Sequence, residues 1–438
     1  MSKMMIEGGH RLRGRVRVSG AKNAVLPILA ASLLAESGTS QIEDVPDLLD
    51  VRHMMETIQS LGAIVERRGH TVRINASRVD SCEPPADLVR RMRASFVVAG
   101  PLLARFGHAR IAMPGGCNIG PRPVDLHIKG FEAMGATAVV ENGATVFHAP
   151  PGGLRGARIY LDIPSVGATQ NLMMAACLAK GTTIIENAAK EPENVDLANY
   201  LNAMGAHVRG AGTDIIRIEG VQSLTGATHN VIPDRIEAGT FLLAGAVMGE
   251  GVYVENAVSQ HLMSLIAKLE EAGVQLEDDV SGIQVWPVQG GRLRGIDVKT
   301  HYYPAYPTDL QAQMVAALTL CLGTSMVTET VFENRFLHVA ELRRMGAQIQ
   351  VEGRSAIIEG VPRLSGAQVT ATDLRAGAAL VIAGLMAEGE TEITGLHHID
   401  RGYDDLVGKF QSLGAHIYRI DEEGAGARLR LVPLRKEG

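Results

Sequence analysis

The sequence predicts a mixed α/β protein of two domains, each built from three copies of a unit of strand, helix, strand, helix and two strands. Its 438 residues exceed what one hydrophobic core usually holds. One helix ending, a Leu, Met or Ala followed by Gly and then Ala or Val, recurs about every 70 residues. Uniformly apolar helices alternate with amphipathic ones, and short alternating strands follow. Six units along the chain therefore divide into three per domain.

Each recurrent helix ending places a glycine where a left-handed C-cap is expected. The endings lie at residues 60–63, 133–136, 203–206, 271–274, 344–347 and 412–415. A uniformly apolar helix precedes a glycine and a strand at residues 171–186 and again at residues 240–255. The strands predicted after the endings lie at residues 72–74, 146–147, 215–218, 283–286, 356–358 and 429–431.

The centre of the repeat falls near residue 231, which divides the chain into two lobes. The strand predicted at residues 11–19 precedes the first unit and is expected to pair with the second lobe. We therefore expect an N-terminal lobe of residues 22–230 and a C-terminal lobe of residues 1–21 plus 231–438. Two chain crossings, near Gly20 and near residue 230, would join the lobes. A cleft between two lobes is where a ligand is expected.

Composition narrows the class of protein. The net charge of −6 argues against general nucleic-acid binding, which requires a basic surface. The four cysteines are scattered without a CxxC pair, which is typical of free thiols in a reducing compartment. No signal-peptide stretch and no apolar run of membrane-spanning length is found, so a cytoplasmic location is expected. We find no metal-ligand spacing and no nucleotide-binding glycine motif, and expect no cofactor and no metal. The oligomeric state is not predictable from the sequence.

A loop at residues 113–127 carries an accessible thiol. Its glycines and prolines exclude a helix or an inner strand, and a helix is predicted to begin near Val124. Cys117 follows two glycines, and Arg122 follows shortly after. A thiol near a fixed cation ionises and reacts more easily. The alternative is a surface turn that happens to contain a cysteine.

Several cations are predicted at helix starts, where anions bind. Lys22 and Asn23 stand just before a helix, and Arg93 adjoins the start of a buried one. Arginines recur at comparable points of the second half, at Arg335, Arg375 and Arg401. Together these residues predict a site for more than one anionic group.

Asp309 stands at a loop-to-helix junction in the second half. An aspartate there is most often an N-cap, and the competing role is a general base. The residues around it leave both interpretations open.

Beyond these features, the chain resembles the UDP-N-acetylglucosamine enolpyruvyl transferases nearly from end to end. The similar segments are Ser19-Gly-Ala-Lys-Asn, Met92-Arg-Ala-Ser, Pro114-Gly-Gly-Cys-Asn-Ile-Gly, Arg122-Pro-Val-Asp-Leu-His, Ser165-Val-Gly-Ala-Thr, Gly181-Thr-Thr-Ile-Ile-Glu-Asn-Ala, Pro233-Asp-Arg-Ile-Glu, Pro307-Thr-Asp-Leu-Gln-Ala-Gln, Glu329-Thr-Val-Phe-Glu-Asn-Arg-Phe, Ala371-Thr-Asp-Leu-Arg-Ala and His398-Ile-Asp-Arg-Gly-Tyr. The resemblance implies two inside-out α/β barrel-like domains of three βαβαββ units each. One departure is Ile163, where some members of the family carry a lysine.

The resemblance implies transfer of the enolpyruvyl group of phosphoenolpyruvate to the 3′-hydroxyl of UDP-N-acetylglucosamine, with loss of phosphate after addition and elimination. Lys22, Arg122 and Arg401 would hold the phosphate, and Arg335 and Arg375 the carboxylate. Cys117 would donate a proton and react with epoxides such as fosfomycin, and Asp309 would be the base. The residues implied to line the substrate site are Asn23, Arg93, Arg122, Pro123, Val124, Asp125, Leu126, Ser165, Val166, Gly167, Asp309, Val331 and Asp373.

Two alternatives remain at the level of sequence. One is a shikimate-3-phosphate enolpyruvyl transferase, which shares the architecture but not the Pro-Gly-Gly-Cys loop. The other is a non-catalytic paralogue that binds ligands for regulation. The presence of Lys22, Cys117, Asp309 and Arg401 in one chain favours the enzyme.

Overall fold

A computed structural model describes residues 2–113, 124–288 and 290–421 of the chain. The helices are α1 (Lys22–Ala31), α2 (Leu49–Ser60), α3 (Ala86–Arg91), α4 (Ala99–Phe106), α5 (Asp125–Ala133), α6 (Val166–Ala176), α7 (Pro192–Ala203), α8 (Arg235–Met248), α9 (Met263–Glu271), α10 (Gln311–Leu318), α11 (His338–Arg344), α12 (Leu374–Met386) and α13 (Leu406–Ser412). Short 3₁₀ helices cover Ser32–Leu34, Arg93–Val98, Ser259–His261, Thr308–Leu310 and Leu396–Arg401.

The strands are short, and most lie in mixed four-stranded sheets. They are β1 (Ser2–Glu7), β2 (Leu12–Arg17), β3 (Ala35–Ser37), β4 (Ser40–Glu43), β5 (Ile64–Arg68), β6 (Thr71–Asn75), β7 (His108–Ala112), β8 (Thr137–Glu141), β9 (Ala144–His148), β10 (Arg158–Tyr160), β11 (Thr182–Glu186), β12 (His207–Arg209), β13 (Ile215–Glu219), β14 (Leu224–Thr225), β15 (Thr228–Asn230), β16 (Gly249–Glu255), β17 (Gln275–Asp279), β18 (Gly282–Trp286), β19 (Asp297–Lys299), β20 (Thr324–Thr328), β21 (Gln348–Glu352), β22 (Ser355–Glu359), β23 (Gln368–Thr370), β24 (Glu390–Thr394) and β25 (His416–Asp421).

In the described part of the chain, three main sheets are built from the first half and three mainly from the second half, which β1 and β2 join. Their strand orders are β15-β4-β6-β5, β7-β9-β8 and β10-β11-β13-β12 in the first half, and β17-β18-β16-β2, β19-β20-β22-β21 and β23-β24-β1-β25 in the second. Every four-stranded sheet combines one parallel pair with antiparallel pairs. A separate pair joins β14 to β3.

Two hydrophobic cores are built around the uniformly apolar helices. One core gathers residues between Ala21 and Val231, and the other gathers Met4 to Val18 together with Ile236 to Ile417. In the second core α8, α10 and α12 are buried almost all round, and they contact one another. Because buried helices face the inner sides of half-exposed sheets, the arrangement is inside-out, as the resemblance implied.

The six glycine endings confirm the predicted left-handed C-caps. Their glycines have φ angles of 92–107°. After each glycine, the backbone N–H of the next residue donates to the carbonyl five residues earlier, at 2.9–3.3 Å. This is the paired hydrogen bonding of a Schellman motif, which satisfies carbonyls that the helix leaves open. A residue with a Cβ would be strained at these positive φ angles.

The predicted pairing of residues 11–19 with the second half is confirmed, because β2 runs parallel to β16. Strand β1, which the sequence analysis did not anticipate, pairs with β24 and β25. The predicted strand at residues 429–431 lies outside the described residues. None of the helices in the described part of the chain is long and apolar enough to cross a membrane.

The two crossings of the chain between the cores lie side by side. Ala21 donates its N–H to the carbonyl of Ile232 at 2.7 Å, and Asp234 donates to the carbonyl of Ser19 at 2.8 Å. The carboxylate of Asp234 caps α8 and also accepts the N–H of Lys22 at 3.1 Å. The start of α1 is therefore fixed to the start of α8, one helix from each core.

Candidate active site

The first cation cluster surrounds Asp50, in the first turn of α2. Lys22 Nζ lies 2.6 Å from Asp50 Oδ2, and Arg401 Nε lies 2.9 Å from Oδ1. Asp50 is 1% exposed. Lys22 and Arg401, which the resemblance assigns to a phosphate, thus share one buried carboxylate. Arg401 follows Asp50 by 351 residues, so this contact joins the two halves of the chain.

Burial and neighbouring charges act in opposite directions on the pKa values of Lys22 and Asp50. Burial is the largest influence on the pKa of Lys22 and lowers it, Asp50 raises it, and Arg401 and Arg375 lower it further, so that the net shift is downward. Burial alone would raise the pKa of Asp50, but Lys22 and Arg401 together outweigh it and the pKa is lowered. The cluster therefore holds an ionised carboxylate beside a lysine whose charge depends on that carboxylate.

The second cluster surrounds Asp309, at the start of α10. Arg335 Nη2 lies 2.7 Å from Asp309 Oδ1, and Arg375 Nη2 lies 2.9 Å from Oδ2. Both arginines are about 95% buried. The N-cap interpretation of Asp309 is wrong, because the N-cap residue is Pro307 for the 3₁₀ helix and Leu310 for α10, and neither helix start has a side-chain cap. The side chain of Asp309 instead contacts two arginines that the resemblance assigns to the substrate carboxylate.

A buried polar network lies behind Asp309 and Arg375. Gln313 Nε2 donates to the backbone carbonyl of Asp309 at 2.9 Å and lies 3.3 Å from the hydroxyls of Tyr403 and Thr240. The guanidinium of Arg375 lies 5.8 Å from the centre of the Tyr403 ring. The backbone of Asp309 is thus bonded by Gln313 of α10, which is itself contacted by Thr240 of α8 and by Tyr403.

Two other predicted site residues of the second half, Asp373 and Val331, make hydrogen bonds that involve the local backbone. Asp373 Oδ1 accepts the N–H groups of Arg375 and Ala376 at 2.9 and 3.0 Å and so caps α12. Val331 donates its N–H to Glu329 Oε1 at 2.8 Å. These bonds fix the backbone on which Arg375 and Val331 stand.

In the first half, the remaining described residues each lie at or near the start of a helix. Val124 precedes α5, Asp125 and Leu126 form its first turn, and Arg93 begins a 3₁₀ helix. Ser165 caps α6 by accepting the N–H of Ala168 at 3.3 Å, and Val166 and Gly167 form the first turn of α6. Asn23 is half-buried in the first turn of α1. The helix predicted near Val124 is confirmed.

Three predicted residues, Cys117, Arg122 and Pro123, lie outside the described residues. Their assignments stay predictions from the sequence. Ile163, at the position where the resemblance expects a lysine, is 50% exposed and lies three residues before α6.

Sequence reasoning missed an acidic cluster between the halves of the chain. Arg235 Nε lies 2.9 Å from Glu193 Oε1, and its guanidinium lies 5.4 Å from the centre of the Tyr303 ring. Glu191, beside Glu193 at the start of α7, is also buried, and burial raises its pKa to about 7. The Glu-Pro-Glu sequence at residues 191–193 was the available signal.

This cluster predicts how stability depends on pH. Because the pKa of Glu191 is raised on folding, ionising it weakens the fold, and stability is lost as pH rises from about 4.5 to about 7. Relative to wild type, we expect Glu191→Gln to gain on the order of 3 kcal/mol in the free energy of unfolding between pH 4.5 and 8. Urea unfolding across this range measures it, with the exposed Glu132→Gln as control. A gain that does not grow with pH would contradict the prediction.

Among the described residues, one group of side chains outside these clusters could approach a metal. Possible ligand atoms of Glu7, His10 and His416 lie within 4.8 Å of one another. The two imidazole rings stack at 3.5 Å with planes 19° apart. A metal on the in-plane lone pair of one ring would lie well outside the plane of the other. We therefore assign no metal to this group.

Comparison with solved structures defines the fold. The enolpyruvyl transferase NikO from Streptomyces tendae superposes with a TM-score of 0.86 at 27% identity, covering 95% of this chain and 98% of that one. EPSP synthase from Acinetobacter baumannii superposes with a TM-score of 0.74 at 18% identity, covering 96% and 100%. A family model described as EPSP synthase (3-phosphoshikimate 1-carboxyvinyltransferase) matches residues 6–410. The predicted enolpyruvyl transferase fold is therefore confirmed.

Two relatives with higher sequence identity show which family of enolpyruvyl transferases the chain belongs to. The UDP-N-acetylglucosamine 1-carboxyvinyltransferase 1 of Halalkalibacterium halodurans is 58% identical over 422 residues, which cover 96% of this chain and 95% of that protein. The protein of the same name from Caldanaerobacter subterraneus subsp. tengcongensis is 55% identical over 418 residues, covering 95% and 99%. The chain belongs to the family of UDP-N-acetylglucosamine 1-carboxyvinyltransferases.

Proposed function

We propose that the protein transfers the enolpyruvyl group of phosphoenolpyruvate to the 3′-hydroxyl of UDP-N-acetylglucosamine and releases phosphate. The observation that carries the proposal is the presence of two cation pairs, each holding a carboxylate. Lys22 and Arg401 hold Asp50, and Arg335 and Arg375 hold Asp309. Phosphoenolpyruvate carries a phosphate and a carboxylate, and bidentate arginine contacts suit both. The curated relatives support this reading over the shikimate-3-phosphate alternative.

The proposed reaction proceeds by addition and elimination. As the 3′-oxygen bonds to C2 of phosphoenolpyruvate, Asp309 accepts the hydroxyl proton and Cys117 donates a proton to C3. A tetrahedral adduct results, which still carries the phosphate on C2. Cys117, left as a thiolate by the first step, then takes a proton from C3, which restores the C2–C3 double bond as the C–O bond breaks and phosphate leaves with the bonding electrons. General acid and base catalysis of each step explains why both residues are needed.

The geometry implies competition for the arginines. In the described structure both oxygens of Asp309 accept from guanidinium groups, which leaves them poorly placed to take a proton. When the substrate carboxylate binds Arg335 and Arg375, it replaces Asp309 on at least one of them. Binding of phosphoenolpyruvate would therefore free the carboxylate of Asp309 to accept the proton of the sugar 3′-hydroxyl.

We further propose the domain limits and the setting of this activity. The division into lobes of residues 22–230 and of 1–21 plus 231–438 is supported by the two separate cores, whose described members change close to these limits, with Ala21 and Val231 packing in the first core. The thiols of Cys82, Cys177 and Cys321 are free, which fits the reducing cytoplasm. The product would enter peptidoglycan precursor synthesis, which links the protein to cell shape, the cell cycle and cell division, and Cys117 would make the protein a target of fosfomycin.

Phosphate release by purified protein tests the proposal. We expect release that requires both phosphoenolpyruvate and UDP-N-acetylglucosamine, with little release when shikimate 3-phosphate replaces the nucleotide sugar. Phosphate release with phosphoenolpyruvate and shikimate 3-phosphate, but not with the nucleotide sugar, would favour the alternative enzyme. Binding of the nucleotide sugar without release would favour the regulatory paralogue.

Asp50 is expected to keep Lys22 protonated to a higher pH by raising the pKa of its amine. Because Asp50 raises the pKa of Lys22, Asp50→Asn should lower that pKa further, and turnover should fall at a lower pH than in wild type. Losing one partner of a buried ion pair should also cost about 3 kcal/mol of stability. The pH profile of kcat/KM for phosphoenolpyruvate measures the first effect. Asp47→Asn, an exposed carboxylate near the same helix start, is the control, and an unmoved alkaline limb would contradict the prediction.

A further inference from the structure

Lys409, on α13, connects the first chain crossing to α8. Its Nζ donates to Ser19 Oγ at 2.6 Å and also to Glu237 Oε1. The other carboxylate oxygen of Glu237, Oε2, accepts the backbone N–H of Ser19 at 2.8 Å. Lys409, Glu237 and Ser19 therefore form a closed ring of hydrogen bonds, which we call the crossing triad.

The charges of the crossing triad depend on each other because they are removed from water. Glu237 is 2% exposed, and the side chain of Lys409 is 17% exposed. Burial and, to a smaller extent, the charge of Asp234 raise the pKa of Glu237 to about 7, whereas Lys409 and the N–H of Ser19 act in the opposite direction. The amine of Lys409 therefore favours the ionised carboxylate that accepts from Ser19.

On one side, the crossing triad leads to Lys22. Asp234 donates its N–H to the carbonyl of Ser19 at 2.8 Å, and Asp234 Oδ2 accepts the N–H of Lys22 at 3.1 Å. A Cβ at Gly20 would lie 2.0 Å from the carbonyl oxygen of Asp44, so the chain between Ser19 and Lys22 runs in close contact with the first core. The position of Ser19 therefore sets where Lys22 enters α1.

On the other side, the crossing triad leads to Arg401, which precedes α13 in the same segment. Backbone hydrogen bonds make this segment compact. Tyr403 donates its N–H to the carbonyl of Ile399 at 3.1 Å, and Lys409 donates its N–H to the carbonyl of Asp405 at 3.0 Å. The side chain of Lys409 thus joins the segment that carries Arg401 to the crossing that carries Lys22.

We propose that Lys409 is a positioning residue that sets the spacing of Lys22 and Arg401, the two cations assigned to the phosphate of phosphoenolpyruvate. The identity of this ligand rests on the proposed function, whereas the anchoring of the crossing does not. Because the amine of Lys409 donates to Ser19 and Glu237, it acts on the substrate through these two cations. Misplacing a binding group by about 1 Å can cost about 10²-fold in rate.

Amide hydrogen exchange tests the anchoring without substrate. The N–H groups of Ser19 and Lys22 are held by the carboxylates of Glu237 and Asp234, so their exchange requires the crossing to open. We expect Lys409→Met to speed exchange at residues 19–22 by about tenfold and to leave α12 unchanged. Lys409→Arg, which keeps a cationic donor, should restore most of the protection. Unchanged exchange at residues 19–22 in Lys409→Met would overturn the proposal, whatever the activity.

Kinetics test the effect on the phosphate contacts. We expect Lys409→Met to raise the KM for phosphoenolpyruvate about tenfold, which corresponds to one weakened hydrogen bond to a charged group. The KM for UDP-N-acetylglucosamine should rise less, because most of its predicted contacts lie elsewhere, and Lys409→Arg should return the first KM towards wild type. The control is Lys268→Met, which removes a partly exposed ion pair with Glu271 on α9.

A double variant separates positioning from stability. Lys409→Met leaves Glu237 as a buried carboxylate without its cation, which should lower the melting temperature. Adding Glu237→Gln removes that charge and should recover most of the melting temperature. The KM for phosphoenolpyruvate should stay raised, because the amine that bridges Ser19 to α13 is still missing. Recovery of both quantities would show a role in stability alone and would refute the proposal.

The outcomes separate this inference from the proposed function. Wild-type protein that releases no phosphate would refute the proposed function, while hydrogen exchange would still decide the anchoring. Active wild-type protein with an unchanged KM for phosphoenolpyruvate in Lys409→Met would refute the positioning role. An equal rise in both KM values that Lys409→Arg does not reverse would show a general disturbance of the fold and would also refute it.

Discussion

Asp309→Ala is expected to lower kcat by about 10²–10⁴-fold, the usual contribution of a general base. An alcohol must lose its proton as it attacks C2, and the carboxylate of Asp309 is the acceptor that the two-arginine cluster presents. The same replacement leaves Arg335 and Arg375 without a competing carboxylate. We therefore expect the KM for phosphoenolpyruvate to stay the same or to fall. Steady-state phosphate release at varied phosphoenolpyruvate measures both effects.

Asp309→Asn is the matched control, because it keeps the size of the side chain and one acceptor oxygen for the arginines. It should lose turnover like the alanine variant yet unfold at a temperature closer to wild type. Since removing one partner of a buried ion pair is costly, activity must be expressed per folded molecule. If the asparagine variant retained full turnover, Asp309 would be a structural anchor for the arginines and not the base.

Cys117→Ala is expected to lose turnover by a comparable factor of about 10²–10⁴, most severely at high pH, where solvent supplies few protons. C3 of phosphoenolpyruvate needs a proton as the alcohol adds to C2, and a thiol in the loop is the predicted donor. A carboxylic acid can replace it if the closed site raises its pKa. Cys117→Asp should therefore keep substantial turnover, as phosphate release across pH will show.

The two roles predicted for Cys117 separate in the presence of fosfomycin. Opening an epoxide requires the nucleophilicity of a thiolate, which a carboxylate lacks. Cys117→Asp should accordingly resist inactivation, and Cys82→Ala, which removes a half-buried thiol elsewhere, should remain as sensitive as wild type. Full turnover in Cys117→Ala, or unchanged inactivation of Cys117→Asp, would show that another group performs these roles.

Much of the fold was predictable because its signals are local. The glycine of each helix ending is required by a positive φ, and the apolar residues before it are required by a period of 3.6. These constraints act within about one turn of helix, so the same short sequence pattern can be recognised at all six helix endings. The strand at β2 was predicted for the same reason, but β1 was missed because six residues at the start of a chain carry little periodic signal.

The candidate site was predictable as a set of residue types but not as a set of contacts. Lys22, Arg335, Arg375 and Arg401 were assigned from their positions at helix starts. Asp50 was not, because an acidic residue in the first turn of a helix is ordinary and its partner Arg401 lies 351 residues away. For Asp309 the residue type and position suited an N-cap as well as a base, and its pairing with Arg335 and Arg375 was not predicted.

The sequence by itself determined the repeated unit, the helix endings, the approximate division of the chain and the inventory of cations, because each depends on neighbours within a few residues. Only the tertiary structure decided how those cations are paired. Asp50 and Asp309 each bind residues that lie far away along the chain. Such long-range geometry is set by the packing of the helices, and no local pattern encodes it.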